Sequence, residues 1–137
     1  MCYNFEGKMG KKRVFKTKSF ARWVKKILSD ALLCQAAREI ERGEFEADLG
    51  LGVCKKRIAV PGQGKSGSTR TLVAKQHKSA IFFLAGREKS DSGKDFSPNE
   101  EAAAKLAGKL LQAATVVKLE AMKIDGVLVE ICHEQEN

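Results

Sequence analysis

The spacing of apolar residues changes character several times along the chain, and each change predicts a new element. Residues 1–12 hold no regular pattern; polar and rich in glycine and lysine, they read as a flexible lead-in. From Arg13 to Ser19 apolar and polar positions alternate, the period of a short strand. Phe20, Trp23, Val24 and Ile27 then recur at helical spacing, with Ser19 placed to cap the helix. Ser29-Asp30 reads as a second cap, opening a helix with Leu32, Leu33, Ala36, Ala37 and Ile40 inside. Gly43 is suited to end it, because a helix commonly closes on a left-handed residue that glycine adopts without a Cβ clash. Two short helices so closely joined predict a helical hairpin.

Gly50-Leu-Gly-Val interrupts this periodicity, and Val53 to Val60 alternates again. Val53, Arg57 and Ala59 fall on one face; Cys54, Lys56, Ile58 and Val60 fall on the other. Pro61-Gly62 ends that strand. Thr71 to Lys75 predicts the next and Ala80 to Ala85 a third, joined near His77-Lys78. The third is apolar on both faces, which predicts a central place in the sheet. Ser97-Pro98-Asn99-Glu100 supplies an N-cap, a proline at the first helical position and a capping-box glutamate. The helix it opens is expected to bury Ala103, Leu106, Ala107, Leu110, Leu111 and Ala114, and to continue or restart towards Met122. Asp125-Gly126 turns the chain into a last strand, Val127 to Ile131. The order predicts a single α+β domain over residues 13–137, with an N-terminal helical hairpin packed on an antiparallel sheet and a C-terminal helix and strand.

Charge adds a direction. The first ninety residues hold 20 Lys and Arg against 8 Asp and Glu, the remainder 5 against 9, and the whole carries +8. A basic body with a mildly acidic tail segment points to an anionic partner met by one face. No stretch approaches the roughly 18 apolar residues of a membrane span, and the N-terminal residues hold no apolar core of a secretory signal. A reducing cytoplasm is therefore expected. Cys2, Cys34, Cys54 and Cys132 are scattered without a Cys-x-x-Cys pair, so a zinc site or disulfide framework is not expected and the thiols read as idle.

The densest chemistry lies in Gly62 to Arg70. Gly64-Lys65-Ser66 has the close of a phosphate-binding P-loop, but the glycine such a loop requires would fall at Ala59. A helix must also follow it, whereas Arg70-Thr-Leu-Val-Ala reads as strand. A nucleotide cradle is therefore not expected, and a plain flexible hairpin loop is the other reading of this stretch. What remains is a set of cations, Lys56, Arg57, Lys65 and Arg70, brought to one end of adjacent strands with no carboxylate nearby in sequence.

The run Lys55-Lys-Arg-Ile-Ala-Val-Pro-Gly-Gln-Gly-Lys-Ser-Gly-Ser-Thr-Arg-Thr-Leu-Val-Ala resembles the signature of the RelE/HigB-like toxins of bacterial type II toxin–antitoxin systems. The likeness extends to Phe15-Lys-Thr-Lys-Ser-Phe-Ala-Arg, the Asp48-Leu-Gly-x-Gly-Val approach, Phe82-Phe-Leu-Ala-Gly-Arg-Glu-Lys89 and Gly126-Val-Leu-Val-Glu-Ile, covering about residues 13–132. It implies a small α+β fold of the microbial-ribonuclease type and cleavage of mRNA on the translating ribosome, silenced by a cognate antitoxin that carries a DNA-binding domain. On that resemblance Lys56, Arg57, Lys65 and Arg70 match the basic positions of the motif, and Lys89 matches the lysine after the third strand. Where the family often has Phe-Ala-Lys-Asn-Glu, this chain lacks the asparagine and adds Arg87.

Metal-free RNA cleavage by the neighbouring 2′-hydroxyl needs a proton acceptor, charge stabilisation on the phosphorane and a proton donor for the leaving oxygen. Arg70 is the candidate for the phosphorane oxygens, since its planar fork matches two of them, with Arg87 a second. Lys65 and Lys89 are candidates for proton transfer, or for plain phosphate binding. Lys55, Lys56, Arg57 and Lys75 complete the expected RNA-binding set. His77 reads as a solvated turn residue, His133 as an inert tail residue, and Glu88 as an ion-pair partner of its basic neighbours. Glu39, Glu41, Glu44, Glu46 and Asp48 read as a solvated helix end; no metal or other cofactor is expected. Two other functions fit the same residues: an RNA- or ribosome-binding module that does not cut, and a protein-directed toxin of the gyrase-inhibiting kind.

Overall fold

The computed structural model describes residues 11–62, 68–88 and 95–133. Strand β1 (Arg13–Thr17) alternates as expected, sending Val14 into one core and Phe15 into another. Helices α1 (Lys18–Val24) and α2 (Asp30–Glu41) follow as the hairpin. Ser29 caps α2 by accepting the Leu32 amide. The cap of α1 is Thr17 rather than Ser19: the helix starts directly off the strand, so the Thr17 hydroxyl is the one in reach of the Phe20 amide. Gly43, at φ +85°, closes the end of α2.

Strands β2 (Ala47–Gly50), β3 (Val53–Ala59), β4 (Ser68–Ala74) and β5 (Ala80–Glu88) come next. The short β2 lies where the sequence pattern only breaks; it turns into β3 through Gly50, Leu51 and Gly52, all at positive φ. Helix α3 (Pro98–Gln112) carries the full capping box on Ser97 and Glu100. The chain then breaks and restarts as α4 (Val116–Ile124), because the Thr115 hydroxyl accepts the Lys118 amide and opens a new helix. Strand β6 (Leu128–Ile131) ends the fold.

Among the described residues the strands form one sheet in the order β2-β3-β4-β5-β1-β6, with β5 inside as expected. The expectation of a wholly antiparallel sheet is corrected at one seam. β1 runs parallel to β5, from Arg13 opposite Ala80 to Lys16 opposite Phe83. The long connection between them, two helices and three strands, permits the crossover that a hairpin cannot make. Helices α1 and α2 cover one face, packing Phe20, Val24, Leu33 and Ile40 on Val14, Cys54, Val73 and Phe83. Helices α3 and α4 cover the other, packing Ala104, Leu111 and Leu119 on Phe15, Val53, Leu72 and Phe82.

Two further expectations change. Helix α3 buries Ala104, Gly108 and Leu111, not the stripe through Leu106 and Leu110. Gly108 is the cause: a Cβ there would stand 2.8 Å from Val53 Cγ2, so the bare backbone lets the helix close on the sheet along this line. Leu106 and Leu110 are left 63% and 70% exposed. The cysteines are not all idle either. Cys34 on α2 and Cys132 just after β6, 98 positions apart, form a disulfide with Cα atoms 5.6 Å apart. Strand β6 returns beside β1, and its end enters the core under α2, a proximity that no sequence spacing announces. Cys54 remains a buried thiol, its pKa pushed up to about 12 by burial. No helix among the described residues is long and apolar enough to cross a membrane.

Candidate functional site

The registers of β3, β4 and β5 line up three arginines. Arg57 stands opposite Arg70, and Arg70 opposite Arg87. Residues paired this way share a face, with Cβ atoms about 4.5–5.5 Å apart per strand. The row lies on the α3 face of the sheet, at the end from which β4 starts. Like charges placed directly opposite destabilise a sheet, so such a row calls for an anion.

Part of that charge is met inside the chain. The Arg87 guanidinium donates to both carboxylate oxygens of Glu100, at 3.0 and 2.8 Å, and lies over the Phe96 ring at 5.9 Å. Lys55, on the same face as Arg57, reaches Asp95 at 2.7 Å and Glu101 at 3.1 Å. These acids belong to the first turn of α3 and its lead-in, where the helix dipole also favours negative charge. Hydrogen bonding from the Ser97 amide and then from Arg87 holds the Glu100 carboxyl below its ordinary pKa. Burial pushes Asp95 up, but hydrogen bonds from Lys55 and the Phe96 amide, with the charges of Lys55 and Arg70, outweigh it and leave the pKa lowered. The bond to Asp95 raises that of Lys55.

Arg57 and Arg70 differ from their neighbours. Among the described residues neither guanidinium has a carboxylate within ion-pair distance. Arg57 is exposed, its backbone amide taken by Glu46 at 2.7 Å. Arg70 is half-buried, and its Nη1 is buried with no hydrogen-bond partner in the described structure. The site is thus a row of guanidinium groups with its middle member unsatisfied and one end open to solvent. It can hold an anion with two or more oxygens.

Several residues expected at the site stand elsewhere. Lys56 is corrected: the alternation that puts Arg57 in the row sends Lys56 to the opposite face, where it is 6% exposed under α2. Its ammonium is held by Glu39 at 2.8 Å and by the Glu44 carbonyl at 2.8 Å. Lys75 is corrected as well. It follows the far end of β4, roughly 17 Å along the strand from Arg70 at about 3.4 Å per residue, and pairs with Asp48 at 3.4 Å above the Phe45 ring. Of the acids read as a solvated helix end, Glu39 and Asp48 are therefore the partners of these lysines. Lys65 and Lys89 lie outside the described residues. His77 is not a solvated turn residue but is buried. The Ser79 amide donates to its Nδ1 at 3.0 Å, so the ring proton sits on Nε2 and is donated to the Ala114 carbonyl at 2.9 Å. That bond ties the β4–β5 turn to the end of α3. His133 lies beyond β6, against the Glu130 carbonyl.

Asp95, Phe96, Glu100 and Glu101 are the site residues that sequence reasoning missed. Glu100 was legible only as a capping-box residue, and the box fully accounts for it locally. Phe96, the apolar residue just before the cap, was the available signal, since that position often anchors the entry to a helix. Among the described residues no group of three or more His, Cys, Asp or Glu is placed to hold a metal ion.

No curated protein matches the chain. A family model for the RelE toxin of the RelE/RelB toxin–antitoxin system matches residues 12–131. That span takes in every described strand and helix, the arginine row included, and the chain therefore belongs to the RelE toxin family.

Proposed function

We propose that this toxin is a ribosome-dependent mRNA endoribonuclease that inhibits translation, cleaving without metal through attack of the RNA's own 2′-hydroxyl. The single observation that carries the reading is the Arg57–Arg70–Arg87 row with the buried, unsatisfied Nη1 of Arg70 at its centre. As the 2′-oxygen adds to phosphorus, negative charge grows on the phosphorane oxygens. Arg70 donates to them, Arg57 holds a flanking phosphate, and Arg87 adds a donor when an RNA phosphate displaces Glu100. A preorganised donor of this kind is worth about 2.7–4 kcal/mol of barrier. Proton transfer falls to Lys65 and Lys89, the lysines the family resemblance supplies. A site without a histidine in the row is a poor catalyst on free RNA, which fits an enzyme whose substrate is positioned by the ribosome. The cognate antitoxin that the family implies would silence it, and the cytoplasm, where ribosomes are, would be its place of action.

The test is controlled expression with 5′-end mapping of cellular mRNA. The wild-type chain should leave discrete new 5′ ends. Arg70→Ala should reduce their appearance by about 10²–10³-fold while the protein stays folded. Cleavage at the wild-type rate by that variant would refute the assignment. The absence of a histidine from the row among the described residues also favours a second reading, an RNA-binding module that does not cut. In that case translation stops with no new 5′ ends.

A further inference from the structure

The acids at the start of α3 neutralise the cations beneath them without satisfying all their donors. Asp95 and Glu101 both reach the Lys55 ammonium, at 2.7 and 3.1 Å. Lys55 stands opposite Leu72, which makes it a diagonal neighbour of Arg70 on the same face of the sheet. The Asp95 carboxyl therefore lies close enough to feel the charge of Arg70, yet no ion pair joins the two among the described residues. Glu100 is held by Nη2 of Arg87 alone. Arg87 Nε and Arg70 Nη1 are buried with no hydrogen-bond partner in the described structure. Burying an N–H unpaired is unfavourable. A phosphate in place of the acids can meet the charge and supply oxygens to these donors as well.

We propose that Asp95, Glu100 and Glu101 act as an internal competitor for RNA phosphate, and that this competition restricts the toxin to RNA held in place by the ribosome. Carboxylates carried on the same chain face the cations at an effective concentration of about millimolar or above. A free RNA strand at lower concentration, which must also be ordered as it binds, loses that competition. A strand already fixed by contacts elsewhere presents its phosphates as a second tethered group and meets the acids on equal terms. Once it displaces them, the orphaned donors of Arg70 and Arg87 gain partners. Glu100 and Glu101 also remain well placed when released, because they belong to the first turn of α3, where the helix dipole favours negative charge. The inference rests on the nuclease reading for its substrate and adds the residues that decide which RNA is accepted.

The experiment compares the wild-type chain with the double variant Asp95→Asn/Glu101→Gln. A control, Glu44→Gln/Asp125→Asn, makes the same change in net charge at exposed positions away from the row. Asparagine at 95 keeps an oxygen for the Phe96 amide, which Asp95 accepts at 2.7 Å, and thermal melts check that each protein folds. The first probe is a single-stranded 2′-O-methyl RNA oligonucleotide, which has no 2′-hydroxyl to attack and so reports binding alone. The double variant should bind it about tenfold more tightly than the wild type. The slope of log affinity against log salt should steepen by about 0.7–1.4, one or two more phosphate contacts on a single strand. The control should gain no more than about twofold. The second probe is unmodified free RNA of the same sequence, which the double variant should cut about tenfold faster than the wild type. Binding by the double variant no tighter than by the control would overturn the inference. So would tighter binding without faster cutting of free RNA, if the wild type cuts mRNA on ribosomes. Tighter binding by the double variant, with no protein cutting RNA free or on ribosomes, would sink the nuclease reading and leave the acids as competitors for RNA phosphate.

Discussion

Lys55, Lys56 and Arg57 are consecutive cations with three different environments. Strand alternation sends Lys55 and Arg57 to the α3 face and Lys56 beneath α2. Lys55 is then held by acids at the α3 N-terminus, while Arg57 is left open to solvent. Composition sees one basic run; the fold sees one buried strut, one tethered lysine and one available guanidinium. Lys56→Met should consequently lower stability by about 1–3 kcal/mol, because Glu39 and the Glu44 carbonyl lose their donor. It should leave the RNA-binding salt dependence untouched. Urea unfolding beside an RNA titration checks both halves, and a change in RNA affinity without a change in stability would return Lys56 to the binding set. The separation of Arg57 from Lys56 was legible from period-two spacing; the partner of Lys56 was not, since Glu39 lies on a helix whose packing had to be known first.

At the scale of elements, α3 decides how much of the arginine row is available. Its first turn supplies Glu100 to Arg87 and Glu101, with Asp95, to Lys55. Glu100 does two jobs, since its Oε1 also accepts the Ser97 amide at 2.7 Å. Glutamine at this position keeps the capping bond and removes the charge. Glu100→Gln should therefore free Arg87 without unwinding the helix. The expected readout is tighter binding of a single-stranded RNA oligonucleotide, with the slope of log affinity against log salt steepening by about 0.7, one more phosphate contact on a single strand. An unchanged slope would mean that Arg87 stays sequestered. The capping box placed the start of α3 to the residue from sequence. Which side of α3 faces the sheet was misread, because the pattern weighs Leu106 and Leu110 above Gly108, and only a close approach gives a glycine its value.

Across the whole molecule, the two termini of the fold are tied down by a charge network and a covalent bond. Arg13 of β1 donates to Glu130 of β6 at 2.9 and 2.8 Å and also to Glu120 of α4, while Lys123 reaches Glu130 at 2.9 Å. The Arg13 hydrogen bonds, against a smaller opposing effect of burial, lower the Glu130 pKa from 4.5 to about 2. A carboxylate with a depressed folded-state pKa stabilises above its unfolded value and loses that contribution as pH falls through the folded one. Stability should thus decline between about pH 4.5 and 2, and Glu130→Gln should flatten the decline in that window. Urea midpoints across it provide the check; equal slopes in both proteins would show the network contributes nothing there. The Cys34–Cys132 disulfide closes a separation of 98 residues. Its reduction should cost about 2–4 kcal/mol through the freer unfolded chain, seen as a lower melting temperature under dithiothreitol. Substituting Cys34 by Ser should remove that dependence on reductant.

What the sequence determined by itself was local: the helical hairpin, the alternation that divides Lys56 from Arg57, the capped start of α3, and the central place of β5. Each follows from side chains within a few positions of one another, where periodicity and capping act without reference to the rest of the chain. The tertiary structure alone decided the register that sets Arg57, Arg70 and Arg87 side by side, the acids that neutralise some cations and spare others, the parallel seam between β1 and β5, and the meeting of Cys34 with Cys132. These depend on which strand lies beside which and on how closely a helix can approach, distances that close only when elements remote in sequence pack on a common sheet.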